Sequence, residues 1–445
     1  MNSIFRKLQA LSLRTIIRNL GKKLLIDNVQ AAAASLLAGL IWVATQFVIS
    51  RALRPGEFGR AFALVSFYAL VARPGASVGR LVAWLTSKEI GHTDKPQGEA
   101  DAALRAVMVG SLVFGIIIVF ISVLLSPILS KYLHVNAAEI VIVAAGLPFG
   151  LSIQSLLGSL QGERRFFAWG LLNVLLPLTK LILVILLLPW FGIFGVLLGM
   201  SIGTLVNFAM CAMAVRAHLK KPLGLLPIKP PWRTYVPFVS IGMASTFVTG
   251  VFLSADVIIV QHYYSHLLAG QYSSVSVIGN TVFSVSGGVV SAMFPAIVMR
   301  QSRGERTVSL MKGVILVFAS ITLLSVAFLQ LFGADVIRFT VGGKYLGGAA
   351  YLSWYALGMG VLSWTTLMVH SQQARNKYGI LYVLIPAMIM RPVLLIWFHS
   401  TLLTVVVISD VSVLIYGIVL FGVYMRDELR IGNPPNPTVL IADVS

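Results

Sequence analysis

The chain has 445 residues, 58% of them hydrophobic and only 11% charged, with a formal net charge of +19. Its mean hydropathy is +0.90. A soluble domain is closer to half apolar with about a quarter of its residues charged, so the composition implies a polytopic membrane protein. The single cysteine, Cys211, excludes an internal disulfide and a cysteine-based metal site.

Residues 1–27 interleave apolar Ile4, Phe5, Leu8, Leu11, Ile16 and Leu20 with basic residues, and a full-length span follows directly. That pattern favours an amphipathic helix on the cytoplasmic surface over a signal peptide, with a disordered basic tail as the alternative. The chain then offers about twelve segments able to cross ~30 Å of hydrocarbon. They lie at 28–50, 58–87, 106–129, 138–160, 170–188, 191–215, 235–260, 270–299, 313–332, 347–371, 378–398 and 401–424. The expected organisation is an N-lobe at 28–215, a cytoplasmic linker at 216–234, a C-lobe at 235–424 and a tail at 425–445. The tail ends in the Pro-rich GNPPNPTVLIADVS.

Basic residues set the orientation. Of the 34 Lys and Arg residues, Arg51, Arg54, Arg60, Lys131, Arg338 and Lys344 fall on one side, and Arg73, Arg80, Lys180 and Arg391 fall inside the membrane. The rest fall on the other side, which is therefore cytoplasmic and holds both termini. The large positive charge is thus ordinary topology facing anionic headgroups rather than a nucleic-acid surface.

A shift of 211 residues brings several features into coincidence. Gly59 meets Gly270, Gln161 and Arg164 meet Gln372 and Arg375, and Lys180 meets Arg391. With six spans in each half, the two copies share one topology and are related by an axis along the membrane normal.

The second span carries LVARPGASVGRLVAWL. Ser66, Arg73, Arg80 and Ser87 recur every seven residues and so form one row on a helix, with Ser77 beside it. The two guanidiniums would stand ~10.5 Å apart on a straight helix. Pro74 removes a backbone hydrogen bond and Gly75 loosens the next turn, so a kink is expected at membrane depth. Such a break is tolerated only against protein or a wet cavity. An intramembrane arginine costs roughly 2.5–3.5 kcal/mol on insertion scales. Two acids, Asp256 and Asp410, are available inside the membrane to pair with four cations, and Arg80 can also snorkel toward the interface. The surplus of positive charge favours a hydrated cavity awaiting an anion, and the guanidinium fork suits phosphate. Asp256 serves either a coupling ion or a basic neighbour, with pairing favoured.

The eighth span carries Gln271, Ser273, Ser274, Ser276, Asn280, Ser284 and Ser286. These residues suit either sugar hydroxyls or close helix packing. His370 and His399, near span ends, are expected to be structural. The chain has no GxxxxGK[ST] or HExxH motif and no Cys/His cluster, so neither ATPase chemistry nor a metal or other cofactor is expected.

Four stretches carry a family resemblance: ISRALRPGEFGRAFAL, GSLQGERRFFAWGLLN, SADVIIVQHYYSHLLAGQYSSVSVIGN and MFPAIVMR. Together they resemble the polysaccharide-transporter branch of the multidrug/oligosaccharidyl-lipid/polysaccharide (MOP) flippase superfamily, over roughly residues 28–425. The Arg-Pro-Gly of the second span lies outside that pattern. The resemblance implies an all-α fold of two six-helix pseudo-symmetric lobes around a central cavity that opens alternately to each side. It implies a non-enzymatic transporter of a polyprenyl-diphosphate-linked glycan, working as a monomer in the bacterial cytoplasmic membrane beside glycosyltransferases and a polymerase. On this view Arg73, Arg80, Lys180 and Arg391 meet the diphosphate. Ser66, Ser77, Ser273, Asn280 and Ser284 meet the glycan, and Asp256 and Asp410 form a coupling or structural pair. The alternatives are a cation-coupled multidrug antiporter of the same superfamily and a membrane scaffold for glycan assembly.

Overall fold

In the computed structural model the described residues are 30–91, 99–220, 232–302, 308–374 and 378–431. The expected amphipathic segment at 1–27, most of the linker and the end of the tail lie outside them. Among the described residues every regular element is helical, as the hydrocarbon demands of a chain that must satisfy its backbone groups internally. Ten helical stretches are long and apolar enough to cross a membrane. Two further helices, His266–Ser302 and the shorter Leu381–Trp397, fill the remaining places in the expected order of twelve.

The N-terminal half comprises α1 (Gln30–Ala52), α2 (Pro55–Ala72), α3 (Gly75–Gly91), α4 (Glu99–Leu124), α5 (Ser126–Leu133), α6 (Ala137–Ala145), α7 (Leu147–Gly162), α8 (Phe166–Phe191) and α9 (Ile193–Ala214). After the short α10 (Arg216–Lys220), the C-terminal half comprises α11 (Trp232–Tyr263), α12 (His266–Ser302), α13 (Val308–Thr340), α14 (Ala349–Ala374), α15 (Leu381–Trp397) and α16 (Leu402–Ile431). Several boundaries differ from the expectation. The third span starts and ends earlier, with a separate helix α5 beginning at Ser126 and Pro127, and the fourth is divided into α6 and α7. The ninth runs on to Thr340. The last helix continues to Ile431, into the stretch expected to be tail.

Local chemistry explains the starts of the helices. Pro55 occupies the first turn of α2, and Glu57 Oε2 accepts the Arg54 backbone N–H at 3.0 Å. Asn136 caps α6 by accepting from Ala138 N at 3.1 Å, while Glu139 reaches back to Asn136 N at 3.2 Å.

The expected kink in the second span is a break between α2 and α3. Pro74 cannot donate to the Leu70 carbonyl. The chain tightens instead, with Ala76 N on the Arg73 carbonyl and Ser77 N on the Pro74 carbonyl, both at 3.0 Å. Gly75 sits where a Cβ would lie 3.2 Å from Leu151 Cδ2 on α7.

On the side opposite the basic loops, the two halves are joined by a polar and aromatic seal. Arg51 Nε donates to the Thr340 carbonyl at 2.9 Å, Lys344 Nζ to the Arg51 carbonyl at 3.0 Å, and the Tyr345 hydroxyl to the Ser50 carbonyl at 2.9 Å. Gln261 Nε2 donates to the Leu133 carbonyl at 3.1 Å, and His262 Nδ1 lies 2.7 Å from the Tyr132 carbonyl. One large apolar cluster among the described residues reaches into this region, with Ile49, Leu53 and Phe58 of the first half and Val257, Ile259, Tyr272 and Tyr345 of the second as members.

Candidate functional site: a cationic central cavity

Beneath the seal, two chambers open between the halves. The larger, about 430 Å³, lies on the basic side and is lined by Arg73 at the end of α2, by Gly79 and Arg80 of α3, by Gln154 and Gln161 of α7, and by Trp169 and Asn173 of α8. Ser245, Thr246 and Thr249 of α11, Phe283 of α12, and Thr366 and His370 of α14 complete it. The smaller, about 220 Å³, lies toward the seal. Trp42, Gln46, Ser66, Ser254, Asn280 and Ser284 are among its walls. Arg73 and Phe283 line both chambers and mark their junction.

The helix break puts Arg73 there. Its stem lies along α11 at Gly250, where an added Cβ would approach Arg73 Cδ to 2.8 Å. Two turns away, Gly242 makes the same room beside Arg80 Nη2. Arg80 donates to Ser77 Oγ at 3.4 Å, and Ser77 Oγ is 3.2 Å from Thr246 Oγ1. Ser77 therefore braces an arginine and is not itself a wall. Among the described residues neither Arg73 nor Arg80 has an ion-pair partner, and no Asp or Glu lines either chamber. Two guanidiniums with no acidic partner among the described residues give the cavity a cationic wall, of the chemistry that suits an anion.

The other expected cations stand elsewhere. Arg391 is fully buried inside the second half and is not among the walls of either chamber. Its Nη2 lies 3.3 Å from Asp256 Oδ2, its Nη1 donates to the Ser409 carbonyl at 3.2 Å, and its guanidinium covers the Phe252 ring at 5.0 Å. Asp256 also accepts from the Tyr272 hydroxyl at 2.9 Å and from Val257 N at 2.9 Å. A buried charge needs partners of this kind, and Arg391 supplies the opposite charge while its Nε and Nη2 make no hydrogen bond. Asp410 is buried in the same neighbourhood and feels both charges. Lys180 lies within the first half, 5.8 Å from the Tyr68 ring centre and against Gly203, outside the walls of both chambers. Ser273 is buried outside both chambers, one turn from the close contact at Gly270.

Ser66, Asn280 and Ser284 do line the smaller chamber. His370, expected to be structural, lines the larger one. His399 is held by its backbone and ring, with Tyr264 donating to its carbonyl at 2.7 Å and Tyr263 stacked at 3.8 Å. The wall residues that sequence reasoning passed over include Gln46, Gln154, Asn173 and Thr246. The available signal was a polar side chain within an apolar membrane helix, with Gln46, Gln154 and Thr246 each beside a Ser or Thr.

Residues 87–301 match the family model described as a polysaccharide biosynthesis protein. Among solved structures, the chain is similar to an inward-facing multidrug resistance MATE family transporter of the MOP superfamily. The TM-score is 0.71 at 16% identity, covering 91% of this chain and 96% of that one. It has the fold of the MOP superfamily.

The lipid II flippase MurJ in an inward closed conformation is similar at a TM-score of 0.70 and 14% identity, over 91% of this chain and 90% of that one. A MOP transporter from Pyrococcus furiosus, whose binding pocket is described as having reversed polarity, matches at 0.56 and 14% identity over 92% and 96%. No curated protein sequence matches. The MOP fold is that of transporters rather than enzymes in these neighbours. The polysaccharide branch of the resemblance agrees with the family match, and the expected fold agrees with the solved structures.

Proposed function

We propose that the chain is a flippase that moves a polyprenyl-diphosphate-linked oligosaccharide across the bacterial cytoplasmic membrane by alternating access, for polysaccharide assembly. The observation that carries this reading is the pair Arg73 and Arg80, which line the central cavity with no acid beside them. The diphosphate is held at the arginines, the sugars occupy the polar cavity, and the polyprenyl tail stays in lipid. The family match over residues 87–301 supports a polysaccharide cargo. Glycosyltransferases and a polymerase would be the neighbours of such a transporter. A multidrug antiporter with cationic cargo is disfavoured, because a cation would meet two uncompensated guanidiniums. A scaffold role would leave the hydrated cationic cavity without a purpose.

Native mass spectrometry of the gently solubilised protein tests this. A polyprenyl-diphosphate glycan should co-purify with the wild type and be lost from Arg73→Ala/Arg80→Ala. If both proteins are empty and added polyprenyl diphosphate does not bind, the reading is wrong.

A further inference from the structure

Within the anionic-cargo reading, we infer that the smaller chamber is a pocket for one sugar ring, the ring adjacent to the anion held at Arg73. Its volume is about 220 Å³, below the roughly 300–1,000 Å³ of sites for drug-sized ligands. That suits one pyranose and excludes a whole oligosaccharide. The pocket is contiguous with the anion site because Arg73 belongs to both chambers. A group bonded to a phosphate at Arg73 therefore reaches it without crossing protein.

Its walls have the mixed character of a sugar site. Trp42 and Phe283 supply ring faces for the apolar side of a pyranose, and Gln46, Ser66, Ser254, Asn280 and Ser284 supply donors and acceptors for its hydroxyls. Two of these polar groups are left incomplete. Gln46 is 2% exposed, yet its Nε2 has no hydrogen-bond partner, and Asn280 Oδ1 has none either. Buried amide atoms are rarely unpaired in native proteins, because each costs on the order of 1–3 kcal/mol. Both residues line the chamber and hold an unused donor and an unused acceptor that are covered in this arrangement, and a side-chain rotation would turn them toward sugar hydroxyls. Asn280 is oriented by its own contact, with Nδ2 donating to Ser276 Oγ at 3.3 Å and Ser276 Oγ 2.9 Å from the Tyr355 hydroxyl. The chamber ends at the seal, where Phe58 and Tyr345 meet edge to face with ring centres 5.5 Å apart.

The experiment compares binding of farnesyl diphosphate with that of farnesyl diphosphate carrying a single glucose, galactose or N-acetylglucosamine. It uses the full-length protein in detergent. Wild type should bind at least one glycosylated probe about tenfold more tightly than the bare diphosphate, the worth of two ordinary hydrogen bonds. Gln46→Leu/Asn280→Leu should abolish that preference while binding bare farnesyl diphosphate as before, which also shows that the variant is folded. Should that variant not fold, Ser284→Phe fills the same chamber and should have the same effect. If the double variant, or Ser284→Phe in its place, keeps the preference, or if wild type shows none for any probe, the sugar pocket is overturned while the arginine site stands. If wild type binds no probe at all, the anion site itself fails, and the pocket with it.

Discussion

Gly59 and Gly270 occupy matching places in the two halves of the sequence, and in the structure they pack against each other. A Cβ on Gly59 would lie 2.9 Å from the Gly270 nitrogen, and one on Gly270 would run into the Pro55 carbonyl. Residues related by a two-fold axis can touch their own counterparts only on that axis. The contact therefore marks where the pseudo-symmetry axis passes through the outer seal, directly above the smaller chamber.

A side chain at this point should wedge the seal. Gly270→Leu is expected to destabilise the sealed arrangement by about 1–3 kcal/mol, the usual cost of overpacking. In a Cys211→Ala background, a cysteine placed at Ser66 reports on the chamber beneath. Its labelling by an impermeant thiol reagent applied from outside should rise in the Gly270→Leu variant. Unchanged labelling would mean that the seal does not depend on this contact.

The Arg391–Asp256 pair makes a different prediction from the cavity arginines. Removing one partner of a buried pair leaves the other charge uncompensated, at a cost of about 3–5 kcal/mol. Arg391→Met should therefore lower the thermal midpoint sharply, and adding Asp256→Leu should restore much of the loss. Protein that folds should still carry cargo, because Arg391 is not a wall of either chamber. Loss of cargo without loss of stability would move Arg391 back to the binding site.

The contrast shows what was legible beforehand. The twelve segments, the basic side and the repeat are written in hydropathy and charge, and all depend on one-dimensional spacing. Seven-residue spacing flagged Arg73 and Arg80 as an inward pair, but it did not show that the break at Pro74 leaves Arg73 at the end of α2 and Arg80 within α3. What spacing does not fix is which interior that face meets. A polar residue can turn toward the centre of its own bundle or toward the space between bundles, and both are inward. Lys180 and Arg391 match in the repeat and both take the first option, where Tyr68, Phe252 and Asp256 receive them. His370 takes the second. The choice depends on partners far apart in sequence, such as Gly250, whose missing side chain leaves room for the Arg73 stem.

The break at Pro74 should matter for transport more than for stability. Pro74→Ala supplies the missing N–H opposite the Leu70 carbonyl, a contribution of ~1 kcal/mol, and draws α2 and α3 toward one continuous helix. Arg73 then leaves the junction of the two chambers. The expected outcome is a thermal midpoint at or above that of wild type, together with reduced surface polysaccharide in cells that depend on the variant. Normal polysaccharide output would show that the break is incidental.

The geometry of the Arg73 side chain, as distinct from its charge, can be tested by graded replacement. Arginine presents a planar fork that grips two phosphate oxygens at once, whereas lysine offers a compact point charge. Hydrogen bonds to charged groups contribute about 1.5–3 kcal/mol each, so Arg73→Ala should weaken binding of farnesyl diphosphate by roughly 10- to 100-fold. Arg73→Lys should fall between the two, because it keeps the charge and loses the second contact. Affinities measured at two salt concentrations separate the contributions, since screening acts on the charge and much less on short-range geometry. If lysine matches arginine, the site reads charge alone. If alanine matches arginine, the anion is held elsewhere and the junction of the chambers is not its seat.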